Sequence, residues 1–138
     1  MNYRLLLPAL LLPAVWAAPT PRTSAYVGAA LANQQQWLSV IRDATTLLQG
    51  ITDTASADAA VPGLKTMAAQ IRHLQQESAG FTTPSAEEEA AFKTAMNHAE
   101  VKQTVAAFMA ALETVVQADC YHSAALSAEL PKLMRADP

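Results

Sequence analysis

Apolar residues recur at intervals of three and four along most of the chain, which is the spacing of one face of an α-helix. The first such run extends from Ser24, a good helix N-cap, to about Gln49, where Gly50 interrupts the pattern. Its main face consists of Val27, Leu31, Leu38, Ile41 and Leu48. The residues that widen this face are Trp37, Ala44, Leu47 and Ile51, and those that interrupt it are Gln34 and Thr45. A face of this width predicts a helix that contacts two neighbours.

A short turn at residues 51–53 separates this helix from a second one. Asp53 or Ser56 can cap the second helix, whose pattern ends near Glu77. Its apolar positions are Val61, Leu64, Ala68, Ile71 and Leu74, with Met67 beside them. Two amphipathic helices joined by so short a turn predict an antiparallel hairpin.

Pro62 leaves two interpretations of the second helix open. A proline inside a helix removes one backbone donor and clashes with the carbonyl four residues earlier. The helix therefore either begins at Asp53 and kinks at Asp58, or begins at Pro62 after a separate turn. We favour one kinked helix, because the residues just before the proline include three alanines, which are strong helix formers.

A second break at residues 78–83 precedes a third helix, with Gly80 as the terminator of the second. Thr83 is predicted as the cap of the third helix and Pro84 as its first residue. The acidic run at residues 87–89 suits the positive N-terminal end of a helix. Three consecutive acids project from a helix in three directions, so we interpret them as solvated residues rather than metal ligands.

The third helix carries Phe92 and Met96, and its pattern weakens at Asn97 and His98. A fourth helix, from about Ala99, has the most regular pattern of the chain. Its apolar positions are Val101, Val105, Phe108, Leu112 and either Val115 or Val116. The pattern leaves open whether these two helices are joined with a kink or separated by a short turn.

The pattern loosens at residues 119–123 and then resumes with Leu126, Leu130 and Leu133, which predict a last short helix ending near Pro131. No segment shows the alternation of a β-strand. The predicted fold class is therefore all-α. We expect a small antiparallel helical bundle of three to four helices plus a short C-terminal helix, forming one domain over residues 24–138.

The N-terminal segment has the features of a secretory signal peptide. Arg4 precedes an apolar core that is too short to span a bilayer, and small residues follow it. We predict cleavage after Ala17, or alternatively after Ala18, which makes residues 1–17 the signal peptide and residues 18–23 a mobile lead. The protein is thus expected to be exported, to the periplasm or outside the cell, with no stable membrane anchor after cleavage. The short core disfavours the alternative of a retained anchor helix.

Composition narrows the functional classes. The 138 residues have a formal net charge of −3 and form no basic cluster, which argues against a nucleic-acid partner. The single cysteine cannot form an internal disulfide, so stability must come from packing. Aromatic residues make up only 6% of the chain, and the predicted helix faces contain many alanines, so the core has few large side chains. Such a thin core favours self-association or binding to a partner protein.

Few residues are candidates for chemistry. We interpret Cys120 as a buried or half-buried free thiol on the fourth helix, with an intermolecular disulfide or a reactive or ligating thiol as alternatives. His122 lies two positions further along and would not share a helical face with this thiol. His98 lies at a predicted helix junction. The sequence contains no phosphate loop, nucleophile elbow or paired-histidine motif, so we predict no catalytic residue, no metal ligand and no cofactor.

The segment from Leu47 to Leu64 contains the pattern I-T-D-x-x-S-A-x-x-A-x-P-x-L. In this pattern the chain resembles small uncharacterised exported helical proteins of environmental and gut bacteria, in which a long apolar-faced helix also follows the proline. The resemblance covers the predicted hairpin of the first two helices. It implies an exported helical protein and carries no activity with it.

These observations predict an exported, non-enzymatic helical-bundle protein that binds a partner protein or forms a homodimer. The alternative hypothesis is a small-ligand, haem or metal carrier of the cell envelope that uses Cys120, His122 or His98. An enzyme would require the histidines and the cysteine to converge in one pocket, so their positions in the fold discriminate between these classes.

Overall fold

The computed structural model describes residues 21–134, and all regular structure within this range is helical. The elements are α1 (Pro21–Gln49), α2 (Thr54–Ala79), α3 (Ala86–Ala95), α4 (His98–Gln117), a 3₁₀ turn (Asp119–His122) and α5 (Ala124–Met134). The predicted all-α class and small helical bundle are therefore confirmed. The predicted signal peptide, residues 1–17, lies outside the described residues, as do residues 18–20 of the predicted lead.

The first two helices form the predicted antiparallel hairpin. Far from the turn, the side-chain amide of Asn33 donates its Nδ2 hydrogen to the carbonyl oxygen of Leu74 at 3.0 Å. Near the turn, a Cβ atom on Gly63 would lie only 2.8 Å from Cδ2 of Leu47. The absence of a side chain at Gly63 thus allows α1 and α2 to approach each other closely.

α3 and α4 follow one another along α1 and pack on it. Glu100, in the first turn of α4, pairs with the guanidinium of Arg42 on α1. Val115, near the end of α4, lies in the same buried cluster as Leu48. The C-terminal ends of α1 and α4 therefore lie in the same part of the bundle, so α4 runs in the same direction as α1.

α5 packs on α2 and runs in the same direction as that helix. Ser123, immediately before α5, donates its hydroxyl hydrogen to the carboxylate of Asp58 near the start of α2. Leu133, near the end of α5, lines the same surface groove as Ile71 of α2. Taken in the order α1, α2, α4 and α5, successive helices therefore run in opposite directions, as in an up-and-down bundle.

One cluster of buried apolar side chains joins α1, α2, α4 and α5. It consists of Leu48, Ile51, Ala57, Ala60, Val61, Leu64, Ala111, Leu112, Val115, Leu126, Leu130 and Leu133. Every member is aliphatic, and the aromatic rings of Phe108 and Tyr121 pack against the cluster from partly buried positions. The central core therefore contains no aromatic side chain among the described residues, in line with the few large side chains that the sequence predicts.

The buried faces of two helices differ in detail from the predicted ones. Thr45, predicted to interrupt the face of α1, is buried within it, because its hydroxyl donates to the carbonyl oxygen of Ile41 at 2.7 Å. On α4, Thr104 is also buried. Of the two valines left open at the end of this helix, Val115 is buried and Val116 is exposed.

The N-terminus of α2 is fixed by a reciprocal cap that uses both predicted residues. The carboxylate of Asp53 accepts the backbone N–H of Ser56 at 2.7 Å, and the Ser56 hydroxyl accepts the backbone N–H of Asp53 at 3.1 Å. The backbone N–H of Ser56 is the main reason that the pKa of Asp53 is lowered. α2 then continues through Pro62 to Ala79, so the preferred start before the proline is confirmed and a start at Pro62 is wrong, while the kink stays a prediction.

Two helix starts lie elsewhere than predicted. α1 begins at Pro21, three residues before Ser24, since a proline fits the first turn of a helix. α3 is capped by Ser85 rather than by Thr83. Ser85 is followed three residues later by Glu88, whose carboxylate accepts the Ser85 N–H at 2.8 Å, whereas Thr83 is followed by an alanine that cannot complete this capping box. Glu88 is consequently buried, which corrects the prediction of a fully solvated acidic run.

The predicted end of the last helix near Pro131 is wrong, because α5 continues to Met134. Pro131 is exposed, as is Pro62 in α2. Each proline leaves the carbonyl group four residues earlier without a helical donor. These carbonyl groups belong to Asp58 and Ser127, which are both exposed, so water can bond to them.

The junctions around α4 are a short break and a left-handed turn. Met96 leaves the helical conformation with ψ of 132°, and Asn97 caps α4 by accepting the Glu100 N–H at 3.2 Å, so α3 and α4 are separate helices. After α4, the residues with positive φ are Asp119 (49°), Cys120 (50°), Tyr121 (52°) and His122 (57°). None of the described helices has the length and hydropathy needed to cross a bilayer.

Candidate functional site

The fold keeps the two candidate histidines apart. His98 begins α4 and places its Nε2 atom 2.9 Å from the carbonyl oxygen of Lys93, so this nitrogen donates a hydrogen bond at the α3–α4 break. His122 follows the other end of α4, and its Nδ1 atom lies 3.4 Å from Oδ2 of Asp119 in an exposed pair. A helix of 20 residues is about 30 Å long, so the two imidazoles cannot share a ligand.

Cys120 lies in the left-handed turn and not on the fourth helix, which corrects its predicted position. Its thiol is half-buried and packs against the apolar cluster. Burial, with a smaller contribution from the carboxylate of Asp119, raises the pKa of the thiol, so less of it is thiolate at neutral pH. Among residues 25–134, no three His, Cys, Asp or Glu side chains lie close enough together to hold a metal ion.

The structure instead brings apolar residues together in a surface groove of about 380 Å³. Its lining consists of Trp37 and Ile41 of α1, Ile71 and Gln75 of α2, Val105, Phe108, Met109 and Leu112 of α4, and Leu133 and Met134 of α5. Nine of these ten residues are apolar. We call this feature the apolar groove.

The apolar groove lies at the level where the described part of α5 ends. α2 has 26 residues and α5 has 11, which correspond to lengths of about 39 Å and about 17 Å. α5 reaches only the level of Ile71, while α2 continues to Ala79. Within residues 21–134, α2 therefore extends past the last turn of α5, and the groove lies at this level.

Large exposed apolar side chains extend the groove into a wider surface. Within residues 25–134, the strongly exposed ones are Met109 (54%), Val116 (52%) and Met134 (55%). Met109 and Met134 line the groove, and Met109 and Val116 line a neighbouring shallow depression on α4 together with Ala106, Ala110, Leu112 and Glu113. We call the groove and this depression together the α4–α5 surface.

The α4–α5 surface is not evident from the helical periodicity alone. Met109 lies outside the predicted helix faces, Val116 is one of two alternatives for a core position, and Met134 lies beyond the predicted end of the last helix. A signal was nevertheless present, since Met109 and Val116 are apolar residues outside the best helical face of α4. Apolar residues on both sides of one helix predict either deep burial or a second contact.

The chain matches no protein-family model, no curated protein and no solved structure. The resemblance carried by the segment from Leu47 to Leu64 therefore stays a prediction. Function has to be inferred from the chemistry of the chain's own surface.

Proposed function

We propose that this protein is an exported, non-enzymatic helical-bundle protein that acts by protein–protein association through the α4–α5 surface. The observation that supports this proposal is the concentration of exposed apolar side chains on one surface, where Met109, Val116 and Met134 lie around a groove that is itself almost entirely apolar. Contiguous exposed apolar patches in soluble proteins usually mark binding sites.

The extent of the surface favours a protein over a small molecule as its partner. The groove volume of about 380 Å³ falls within the range of ligand pockets, which is roughly 300–1,000 Å³. The apolar area continues past the groove along the outer side of α4 to Val116, where no small molecule held in the groove would cover it. An extended apolar partner such as a helix would cover both parts.

The proposed absence of enzymatic activity is supported by the separation of the reactive side chains. His98 and His122 lie at opposite ends of α4, and neither lines the apolar groove. Cys120 also lies outside the groove lining. No observation on the described residues favours the alternative of a haem or metal carrier that uses these three side chains.

Site-specific photo-crosslinking in the producing cells tests the proposal. A photoreactive phenylalanine analogue is introduced separately at Met109, Val116 and Met134, with Ala69 on the exposed side of α2 as the control position. We expect protein adducts from the three positions on the α4–α5 surface and none from position 69. The absence of adducts from all three positions, in a folded and exported protein, would overturn the proposal.

A further inference from the structure

The outer side of α4 carries a second regular stripe of residues. These residues are Ala99, Lys102, Ala106, Met109, Glu113 and Val116, and all six are exposed. They follow one another at intervals of three and four, which is the spacing of the seam of a coiled coil. The stripe lies on a different side of α4 from its fully buried residues, which are Thr104, Ala111, Leu112 and Val115.

We propose that this stripe is the contact between two copies of the chain, with α4 of one copy packed antiparallel on α4 of the other. The inference rests on the proposed function and names its partner. Antiparallel helices related by a two-fold axis pair residues whose numbers have a constant sum. With the axis midway between residues 107 and 108, Ala106 faces Met109 of the second copy, and Ala99 faces Val116 of the second copy.

Size complementarity supports this register. The register contains two apolar layers, one formed by Ala106 with Met109 and the other by Ala99 with Val116. Each layer pairs an alanine with a larger side chain, and each occurs twice because of the two-fold symmetry. A small residue opposite a large one allows two helix axes to approach and the large side chain to fill the space. Ala110, beside the stripe, is also small and exposed, so it does not obstruct the close approach.

Charge complementarity supports the same register independently. Lys102 of one copy faces Glu113 of the other, and symmetry produces this pair twice. Within residues 25–134, the ammonium group of Lys102 forms no hydrogen bond or ion pair, and the carboxylate of Glu113 accepts only the side-chain amide hydrogen of Gln117, at 3.0 Å. Both groups are therefore available for a pair across the interface.

Other arrangements of the two helices lack this match. A parallel pair would place Lys102 against Lys102 and Glu113 against Glu113, and like charges at such positions oppose association. An antiparallel shift by one heptad would place Glu113 against Met109 of the second copy, which would desolvate the carboxylate without a partner. The proposed register is the one that pairs both charges and both apolar layers.

The size of the contact sets the expected affinity. The stripe spans 18 residues, or about 27 Å of helix, so it is smaller than the roughly 800 Å² per partner of a typical stable interface. We therefore expect a reversible dimer with a dissociation constant in the micromolar range rather than an obligate one. Met109 belongs to both the stripe and the apolar groove, so dimer formation also covers part of the groove rim.

Charge reversal measured by sedimentation equilibrium tests the proposal on the purified chain. Lys102→Glu and Glu113→Lys each create two like-charge pairs, so we expect each to weaken the dimer at least about fivefold. The double variant restores opposite charges and should return the dissociation constant to within about threefold of the wild-type value. Lys65→Glu, an equal charge change on the exposed side of α2, is the control and should leave dimerisation unchanged. Circular dichroism confirms that each variant is folded.

A disulfide trap measures the register directly. In chains in which Cys120 is replaced by serine, Ala106→Cys on one copy and Met109→Cys on the other should form a mixed disulfide readily under mild oxidation. Ala69→Cys on α2 should not crosslink with either variant.

Three results would overturn the inference. They are a wild-type chain that stays monomeric at millimolar concentration, a double charge variant as weak as the single ones, and a dimer that no charge reversal affects. None of these touches the broader proposal, because photo-crosslinks from Met109, Val116 and Met134 to a different protein would still support association through the α4–α5 surface.

Discussion

Truncation of Leu112 should destabilise the protein strongly, whereas truncation of Met109 on the same helix should not. Leu112 is 4% exposed and belongs to the central cluster, while Met109 is 54% exposed. Leu112→Ala removes three buried carbon atoms, each worth about 0.8 kcal/mol on transfer from water, for a loss of about 2.4 kcal/mol. The cavity left behind adds to this loss, so we expect roughly 3 kcal/mol in total, within the range of about 2–5 kcal/mol typical of such changes.

Urea and thermal unfolding followed by far-ultraviolet circular dichroism measure both variants. The protein concentration should lie well below the dissociation constant of the proposed dimer, so that only monomer stability is compared. For a domain of this size, a loss of 1 kcal/mol lowers Tm by about 3–5 °C, so Leu112→Ala should lower Tm by about 10–15 °C. Met109→Ala should change the free energy of unfolding by less than about 0.5 kcal/mol.

The comparison tests the rotation of α4 about its own axis. Equal losses in the two variants would mean that α4 does not present Leu112 to the core and Met109 to solvent. Wild-type stability of Leu112→Ala would refute the assignment of the core itself. Phe108 is only partly buried, so Phe108→Ala should give a smaller loss than full burial of its ring would imply.

Three further predictions concern caps, turns and the helical proline. The N–H of Ser56 lowers the pKa of Asp53 in the folded state, so the stabilisation from the ionised cap is complete at neutral pH and is lost as the pH falls below about 4. The urea midpoint of the wild type should therefore fall more steeply in this range than that of Asp53→Asn. His122→Gly should raise Tm, because glycine adopts a φ of 57° without the cost of about 1 kcal/mol that other residues incur. The control His73→Gly, inside α2, should lower Tm, because glycine is a poor helix former. Pro62→Ala should raise the urea midpoint by restoring a backbone donor to α2, and a lower midpoint would mean that α2 requires the proline.

The sequence predicted most accurately the parts of the fold that local chemistry determines. Gly50 ends α1, and Asp53 with Ser56 starts α2, because caps and turns involve only neighbouring residues. The error at Thr83 arose where two capping residues lie close together. Only the carboxylate of Glu88, three residues after Ser85, distinguishes them.

The left-handed turn after α4 could not be predicted from its residues. Asp119 and His122 belong to the residue types that tolerate positive φ, but Cys120 and Tyr121 between them do not, and the turn contains no glycine. Tertiary contacts stabilise the turn, since the hydroxyl of Thr54 donates to the carbonyl oxygen of Tyr121 at 2.6 Å. A segment whose conformation depends on a residue 67 positions away has no local signal.

The apolar groove was also beyond prediction, for a different reason. Its position depends on how far α5 extends along α2, since the described part of α5 ends at Met134 while α2 continues to Ala79. Helix periodicity identifies which face of α5 is buried but does not show which part of α2 that face covers. Only the packing of α5 on α2 reveals that Ile71 and the residues beside it lie at the edge of the covered region.

The exposed apolar residues of α4 and α5 support association because monomer stability does not require them. The central cluster does not include Met109, Val116 or Met134, so polar residues at these positions would leave the core intact. Valine is also a weaker helix former than lysine or glutamate, so Val116 makes α4 slightly less stable than a polar residue would. The proposed contact at the α4–α5 surface would explain why apolar residues occupy these positions. We therefore expect Met109→Lys to keep the unfolding free energy of the monomer and to lose dimerisation, and a variant that keeps both would show that this side chain lies outside the contact.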